Sequence, residues 1–174
     1  MQPDFKRCTK ADIPVLQAVG SQSYREHYLH IWATNKDFYI NLSFSKESLL
    51  KDLENENILY FLIFIDGKPA GLIKLNLHQA FREIPANDAL EIEKIYMLKG
   101  FARNGLGRAS LAFVENHAKG LGKSLLWLKV MASSPALRFY AACGYSVGNC
   151  FKIGYKDLSD DCRDMFSMYK KLTF

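Results

Sequence analysis

LEIEKIYMLKGFARNGLGR (residues 90–108) changes character twice along its length. It begins as a run rich in β-formers, passes through Gly100, Gly105 and Gly107 with Arg103 and Arg108 among them, and opens a helical pattern, LGRASLAFVENHAKG, that runs from about Gly105 to Lys119 with Gly120 as its C′ residue. A strand that feeds a helix through glycines has a physical use. The first N–H groups of a helix lack partners within it and the helix dipole adds partial positive charge, so the junction can cradle a phosphate. Gly105 and Gly107 would let the backbone approach a pyrophosphate, and Arg103 and Arg108 can add charge-assisted contacts.

Spacing narrows the ligand. No Lys-Ser or Lys-Thr follows the glycines, which disfavours a Walker loop, and the G-x-G lies in mid-chain rather than after the first strand, which disfavours a Rossmann fingerprint. Working outward, SLLWLKV (124–130) reads as a buried strand, so the helix makes the crossover between ALEIEKIYML (89–98) and a parallel neighbour. SPALRFYAACGY (134–145) is a short helix opened by Ser134 and Pro135 and stopped at Gly144, and YSVGNCFKI (145–153) and RDMFSMYKKL (163–172) close the chain as strands. Upstream, DFKRCT (4–9) suits a short strand. An early helix starts near Asp12 and Pro14 and is expected to break near Gly20, and FSKESLLKDLENEN (44–57) is a second helix capped by Ser45. ILYFLIFI, DGKP and AGLIKLNLHQA (58–80) form a hairpin around Asp66 and Gly67. The expectation is one domain over residues 1–174, an α/β fold with a mixed sheet of about six to seven strands and flanking helices.

Composition agrees with one soluble domain: 174 residues, 49% hydrophobic and 24% charged. No apolar run approaches the roughly 18 residues of a membrane helix, and the start lacks signal-peptide architecture, so a cytoplasmic protein without membrane partners is expected. Cys8, Cys143, Cys150 and Cys162 show no C-x-x-C spacing; they read as reduced thiols, and no metal site is expected. The net charge of +5 is concentrated in residues 94–129, with seven basic residues against one acidic, whereas residues 1–93 carry ten against thirteen. Such an excess suits nucleic acid or a phosphorylated ligand. The interleaved aromatic and basic residues of a nucleic-acid surface are missing, so no nucleic-acid partner is expected.

IEKIYMLKGFARNGLGRASL, followed by LLWLKV and SSPALRFYAACGY, resembles the acetyl-CoA-binding core of the GNAT superfamily of N-acetyltransferases. More narrowly, CTKADIPVLQAVGSQSYREHY with IEKIYML and RFYAACGY is similar to bacterial PaiA-like polyamine acetyltransferases. The resemblance implies a GNAT fold in which the central strand splays from its parallel neighbour and acetyl-CoA, as co-substrate, enters the gap. It implies that the backbone of Ile95, Tyr96 and Met97 faces the acetyl and pantetheine groups, and that Arg103, Asn104, Gly105, Leu106, Gly107 and Arg108 wrap the pyrophosphate. Two positions depart from the pattern: Ala102 stands where Gln or Arg is usual, and Ser133 where an Asn contacts the pantetheine.

The resemblance also implies that Tyr140 donates to the CoA sulfur, and that Glu93 acts as a base through water. Strand alternation places Glu91 and Glu93 on one face with Ile95 and Met97, and leaves Glu91 as a substitute should a bulge intervene. Lys129 stands where other members of the superfamily carry a glutamate and is assigned no role, because a cation cannot serve as base at neutral pH. The acceptor is expected to be the primary amine of a small molecule, with polyamines included. Tyr24, Tyr28, Trp32, Phe38 and Tyr39, with Glu26, Asp37, Glu83 and Asp88, make an aromatic and acidic set suited to a cationic amine. Transfer by direct attack in a ternary complex, a sensor of acyl-CoA without catalysis, and an acetyltransferase for peptide N-termini all stay open, as does a homodimer.

Overall fold

The computed structural model describes residues 2–102 and 104–173. Its centre is the hairpin of β2 (Ile58–Ile65) and β3 (Lys68–Asn76), whose turn holds Asp66 at φ 49° and Gly67 at φ 74°, the left-handed pair that a type I′ turn requires. β1 (Asp4–Arg7) runs antiparallel to β2, and β4 (Ala89–Met97) antiparallel to β3. The crossover helix α4 (Leu106–Gly120) then delivers β5 (Leu125–Met131) parallel to β4. β7 (Asp164–Lys171) inserts between β5 and β6 (Ser146–Lys152), so the seven-stranded sheet is ordered β1-β2-β3-β4-β5-β7-β6.

Both faces of the sheet are covered, which is why its central strands read as continuous apolar runs. On one side α4 and α5 (Ala136–Ala142) lie over Ile73, Leu75, Ile92 and Leu128, with Leu111 and Val114 buried between them. On the other, α1 (Ile13–Tyr28), α2 (Phe38–Phe44) and α3 (Lys46–Glu54) pack Leu16, Phe44 and Leu49 against Tyr60, Leu62 and Leu72. Ser45 caps α3 as its sequence suggests, accepting from the Ser48 N–H at 3.2 Å. No helix among the described residues is long and apolar enough to cross a membrane.

Three local features differ from the sequence reading. α1 does not break at Gly20; that glycine is buried because any Cβ would run into the Phe44 ring, so it serves helix packing. The contact partner belongs to α2, a two-turn helix that starts after Asp37 without a side-chain cap bond and that the sequence reading did not separate. At the end of α4 the helix includes Gly120, and the left-handed residue is Gly122, at φ 72°.

The feature that makes a site is the incomplete pairing of β4 and β5. They pair from Ala89–Leu125 to Ile92–Leu128 and no further, although both strands continue. The divergence begins where β4 bulges: Ile92 lies opposite Leu75 and Lys94 opposite Lys74, which leaves Glu93 without a partner. An extra residue in one strand reverses the alternation beyond it. Ile92, Ile95 and Met97 therefore pack toward α4, while Tyr96 packs among the residues of α1 and α2. Glu91 and Glu93 do share a face, since Asn76 Nδ2 donates to both at 2.8 and 3.1 Å. That face is not the one carrying Ile95 and Met97, as simple alternation had suggested.

Candidate active site

The gap between the diverging strands exposes backbone. Leu98 N–H donates to Ala70 O at 2.8 Å, so alternation turns the peptide groups of Tyr96 and Lys94 toward β3 and those of Ile95 and Met97 toward the gap. An open sheet edge must hydrogen-bond something. His27 Nε2 already lies 3.1 Å from Met97 O, and the Lys99 N–H donates to Glu26 Oε2 at 2.6 Å, so the end of α1 pins the end of β4. Along the gap runs a cavity of about 440 Å³, lined by His27, Met97, Gly105, Arg108, Phe139 and Tyr140 among others.

That cavity reaches the start of α4. Gly105 is the N-cap at φ 77°, a backbone conformation that glycine adopts without strain, and among the described residues no side chain caps the helix or places an acid in its first turn. The first bond within the helix runs from Ala109 N–H to Gly105 O, so the N–H groups of Leu106, Gly107 and Arg108 have no partner inside it. A Cβ on Gly107 would come within 3.0 Å of the Phe139 ring; this glycine therefore lets α5 close on α4. An uncapped helix start, free strand edge and cavity between them fit an elongated ligand with a phosphorylated end and an amide-bearing arm, as CoA has.

A second cavity, of about 480 Å³, lies on the other side of the gap and shares Tyr28, Ile95, Tyr96, Ala136 and Tyr140 with the first. Rings line much of it: Tyr24 stacks on Tyr39 and Tyr28 with centroids 4.6 and 5.1 Å apart, Tyr28 reaches Tyr96 at 5.5 Å, and Trp32 reaches Tyr155 at 5.8 Å. Its floor is ionic. Lys74 Nζ bridges Asp52 Oδ2 (2.8 Å) and Glu93 Oε2 (2.9 Å), Lys94 Nζ donates to Glu93 Oε1, and Lys129 Nζ lies 2.9 Å from Glu91 Oε1. Burial alone would raise the Glu93 carboxyl, but Lys94 and Lys74 overcome it and hold the group down at about 2. Tyr140 shows the opposite balance: burial, with Tyr28 beside it, pushes its phenol well above the ordinary tyrosine value, so the proton stays on Oη at neutral pH.

Residues 21–145 match the acetyltransferase (GNAT) family. The chain belongs to that family. GNAT relatives place it further: it is 31% identical over 107 residues to an uncharacterized N-acetyltransferase encoded in the pepI 3′ region of Lactobacillus delbrueckii subsp. lactis. That match covers 61% of this chain and 62% of the relative, so it spans less than two thirds of the relative's length. Among solved structures, the PaiA N-acetyltransferase of Thermoplasma acidophilum in complex with coenzyme A superposes with a TM-score of 0.76 at 24% identity, over 98% of this chain and 99% of that one. The ribosomal-protein-alanine N-acetyltransferase of Brucella melitensis superposes at 0.73 with 22% identity, over 97% and 99%. The mixed seven-stranded sheet with its parallel β4–β5 pair is the GNAT fold.

Within this GNAT fold the expected site residues do not all come together. Ile95, Tyr96, Met97, Gly105, Gly107, Arg108 and Tyr140 line the 440 Å³ cavity, and Glu93 lines the second one beside Ile95, Tyr96 and Tyr140. Asn104 and Leu106 line a small separate cavity of about 80 Å³ with Pro3 and Phe101, and the Leu106 side chain is buried in the core, so Leu106 offers the gap only its backbone. Ser133 is exposed and lines neither large cavity; its neighbour Ser134 does, and also accepts from the Ala136 N–H at 3.2 Å. Arg103 lies outside the described residues. Glu26, Asp37, Glu83 and Asp88, expected as an acidic lining, border neither large cavity. Instead the acids there are Glu91 and Glu93. The residues that composition and spacing did not single out are Lys74, Lys94 and Asn76, which hold those acids; their only signal is polar side chains in strands that read as buried.

Proposed function

We propose that this chain is an acetyl-CoA-dependent N-acetyltransferase acting on the primary amine of a small molecule, by direct attack in a ternary complex. The observation that carries the proposal is the meeting of two cavities at Tyr140, Ile95 and Tyr96, one running to the free start of α4 and the other lined by rings. Acetyl-CoA, when bound, supplies a thioester acetyl group whose transfer to the amine releases a thiolate.

The backbone of Ile95 and Met97 orients the pantetheine arm, and the N–H groups of residues 106–108 with the Arg108 guanidinium take the pyrophosphate. Tyr140 holds a proton on Oη for the departing sulfur, which its raised pKa keeps in place until a strong base appears beside it. Glu93 remains a carboxylate at every pH in which the protein operates, so it accepts a hydrogen bond from the ammonium form of the acceptor or from a water between them. So acidic a group passes the proton on to water and does not store it. The likeness to PaiA-like enzymes brings polyamines into consideration as acceptors, and the charge of the ring-lined cavity decides against them below.

The test is a pair of measurements on the purified chain. Acetyl-CoA should raise the melting temperature, and thiol should appear when amines are added. Stabilisation by acetyl-CoA with no thiol release across monoamines, polyamines, amino acids, aminoglycosides and peptides would replace the enzyme with a sensor of acyl-CoA.

A further inference from the structure

The ring-lined cavity carries information about its occupant beyond the need for an amine. Its lining includes Glu91 and Glu93 as acids and Lys94 and Lys129 as bases, and each carboxylate is engaged by a lysine within the fold. Lys74 and Asp52 extend the same cluster behind the wall and again pair with each other. Among the described residues no carboxylate of the lining is left without a lysine, so a polycation finds no free counter-charge. A polyamine would bring two or more positive charges into a space whose formal charge is already balanced, and it would leave them desolvated.

The remaining surface is aromatic and continuous. From Trp32 and Tyr155 it passes through Tyr24 and Tyr39 to Tyr28 and Tyr96, where the two cavities meet. Such rings favour other rings by offset or edge contact, and their faces attract one ammonium group without an ion pair. Two laced loops wall one end of the cavity. Ala33 N–H donates to Asp157 O at 2.8 Å, Ser159 N–H to Ile31 O at 2.9 Å, and Trp32 and Leu158 form an isolated β-bridge. Arg163 fixes the second loop by donating to the carbonyls of Tyr155 and Leu158 at 2.7 and 2.8 Å. A loop pair tied in this way gives that end of the cavity a fixed wall, which suits a small body.

We propose that the acceptor is an aromatic monoamine: one primary amine directed toward Tyr140 and Glu93, and a ring held against the partly exposed Tyr39 and Tyr155, with the buried Tyr24 and Trp32 packed behind them. The assignment rests on the transferase reading above and narrows it. Substrate discrimination then depends on ring contact and on the neutrality that Lys129 maintains at Glu91.

Thiol release at saturating acetyl-CoA tests this with four acceptors: 2-phenylethylamine, butylamine, spermidine and a pentapeptide with a free N-terminal alanine. The value of kcat/KM for 2-phenylethylamine should exceed those for butylamine and spermidine by about fivefold or more. Tyr155→Leu should erase the margin over butylamine. Lys129→Ala, at a half-exposed side chain, should leave Glu91 uncompensated and shift the spermidine to phenylethylamine ratio upward by about fivefold or more. Turnover of spermidine or the peptide at or above the level of 2-phenylethylamine would overturn the aromatic assignment while sustaining the transferase. An unchanged ratio in Lys129→Ala would overturn the charge argument. Binding of acetyl-CoA with no thiol release from any acceptor would remove the transferase reading and this one with it.

Discussion

Tyr140 differs from the other tyrosines of the site in place more than in chemistry. Burial raises the phenols of Tyr28, Tyr96 and Tyr140 alike, and all three line both cavities, but Tyr140 alone comes from α5, on the sheet face opposite α1 and α2. Tyr140→Phe should lower kcat about a hundredfold while acetyl-CoA still raises the melting temperature, since one proton donor is lost and the cradle is untouched; equal turnover in steady-state assays would remove Tyr140 from the chemistry. Glu93 makes a different prediction. Its carboxyl lies near 2, far below any working pH, so the rise of kcat/KM with pH should follow the pKa of the acceptor amine and move when an amine of different basicity is used. A limb fixed near 4 to 5 for every amine would point to a carboxyl of ordinary acidity as the base. The two residues illustrate why identity alone is a poor guide to role: burial drives the tyrosine further from ionisation, and lysines that sit elsewhere in the chain keep the glutamate ionised despite its burial.

At the scale of elements, β4 and α4 act as one unit, joined by a turn that only glycine adopts comfortably at position 105. Gly105→Ala places a Cβ on a residue at φ 77° and should cost about 1 kcal/mol in urea unfolding, with weaker stabilisation by acetyl-CoA as the start of α4 shifts. Gly20→Ala acts by another route, driving a methyl into the Phe44 ring where α1 and α2 meet; a loss of about 1–3 kcal/mol in urea unfolding is expected without a change in backbone preference. The β4 bulge is tied to α3 by charge, through Glu93, Lys74 and Asp52. A carboxyl whose folded pKa lies below its unfolded value adds stability above the unfolded value, and that increment disappears as pH falls through the folded one. For Glu93 the window runs from about 4.5 down to about 2. Lys74→Met should therefore shift acid unfolding to higher pH, followed by circular dichroism, because it removes one of the two cations that hold the carboxyl down.

On the scale of the whole molecule, a ligand that binds only the folded chain stabilises it by mass action, about 2.7 kcal/mol at a hundredfold excess over Kd. Acetyl-CoA should meet that expectation in a thermal melt. Much of this architecture was legible in the residues: the I′ turn at Asp66 and Gly67, the Ser45 cap, the crossover helix and the parallel partner it implies all follow from local backbone chemistry, which acts within a few residues and leaves its mark in composition and period. The glycine at the start of α4 was legible for the same reason. What stayed hidden depends on residues distant in the chain. Gly20 reads as a break because glycine is weak in helices, and only the Phe44 ring shows why it must stay small. The bulge at Glu93 is invisible in a run of alternating residues, because an extra residue is defined by the opposite strand, and with it goes the face on which every later side chain lands. The acids expected to line the ring-lined cavity were the wrong ones, since surface loops and buried strands both contain carboxylates and sequence cannot say which lysines will neutralise them. By itself, then, the sequence determined the order of most strands and helices and the glycine-bearing junction between β4 and α4, both matters of short-range propensity. The tertiary structure decided where β4 leaves β5, which carboxylates face the gap and how their charge is balanced, because each is settled by contact between segments that the chain keeps apart.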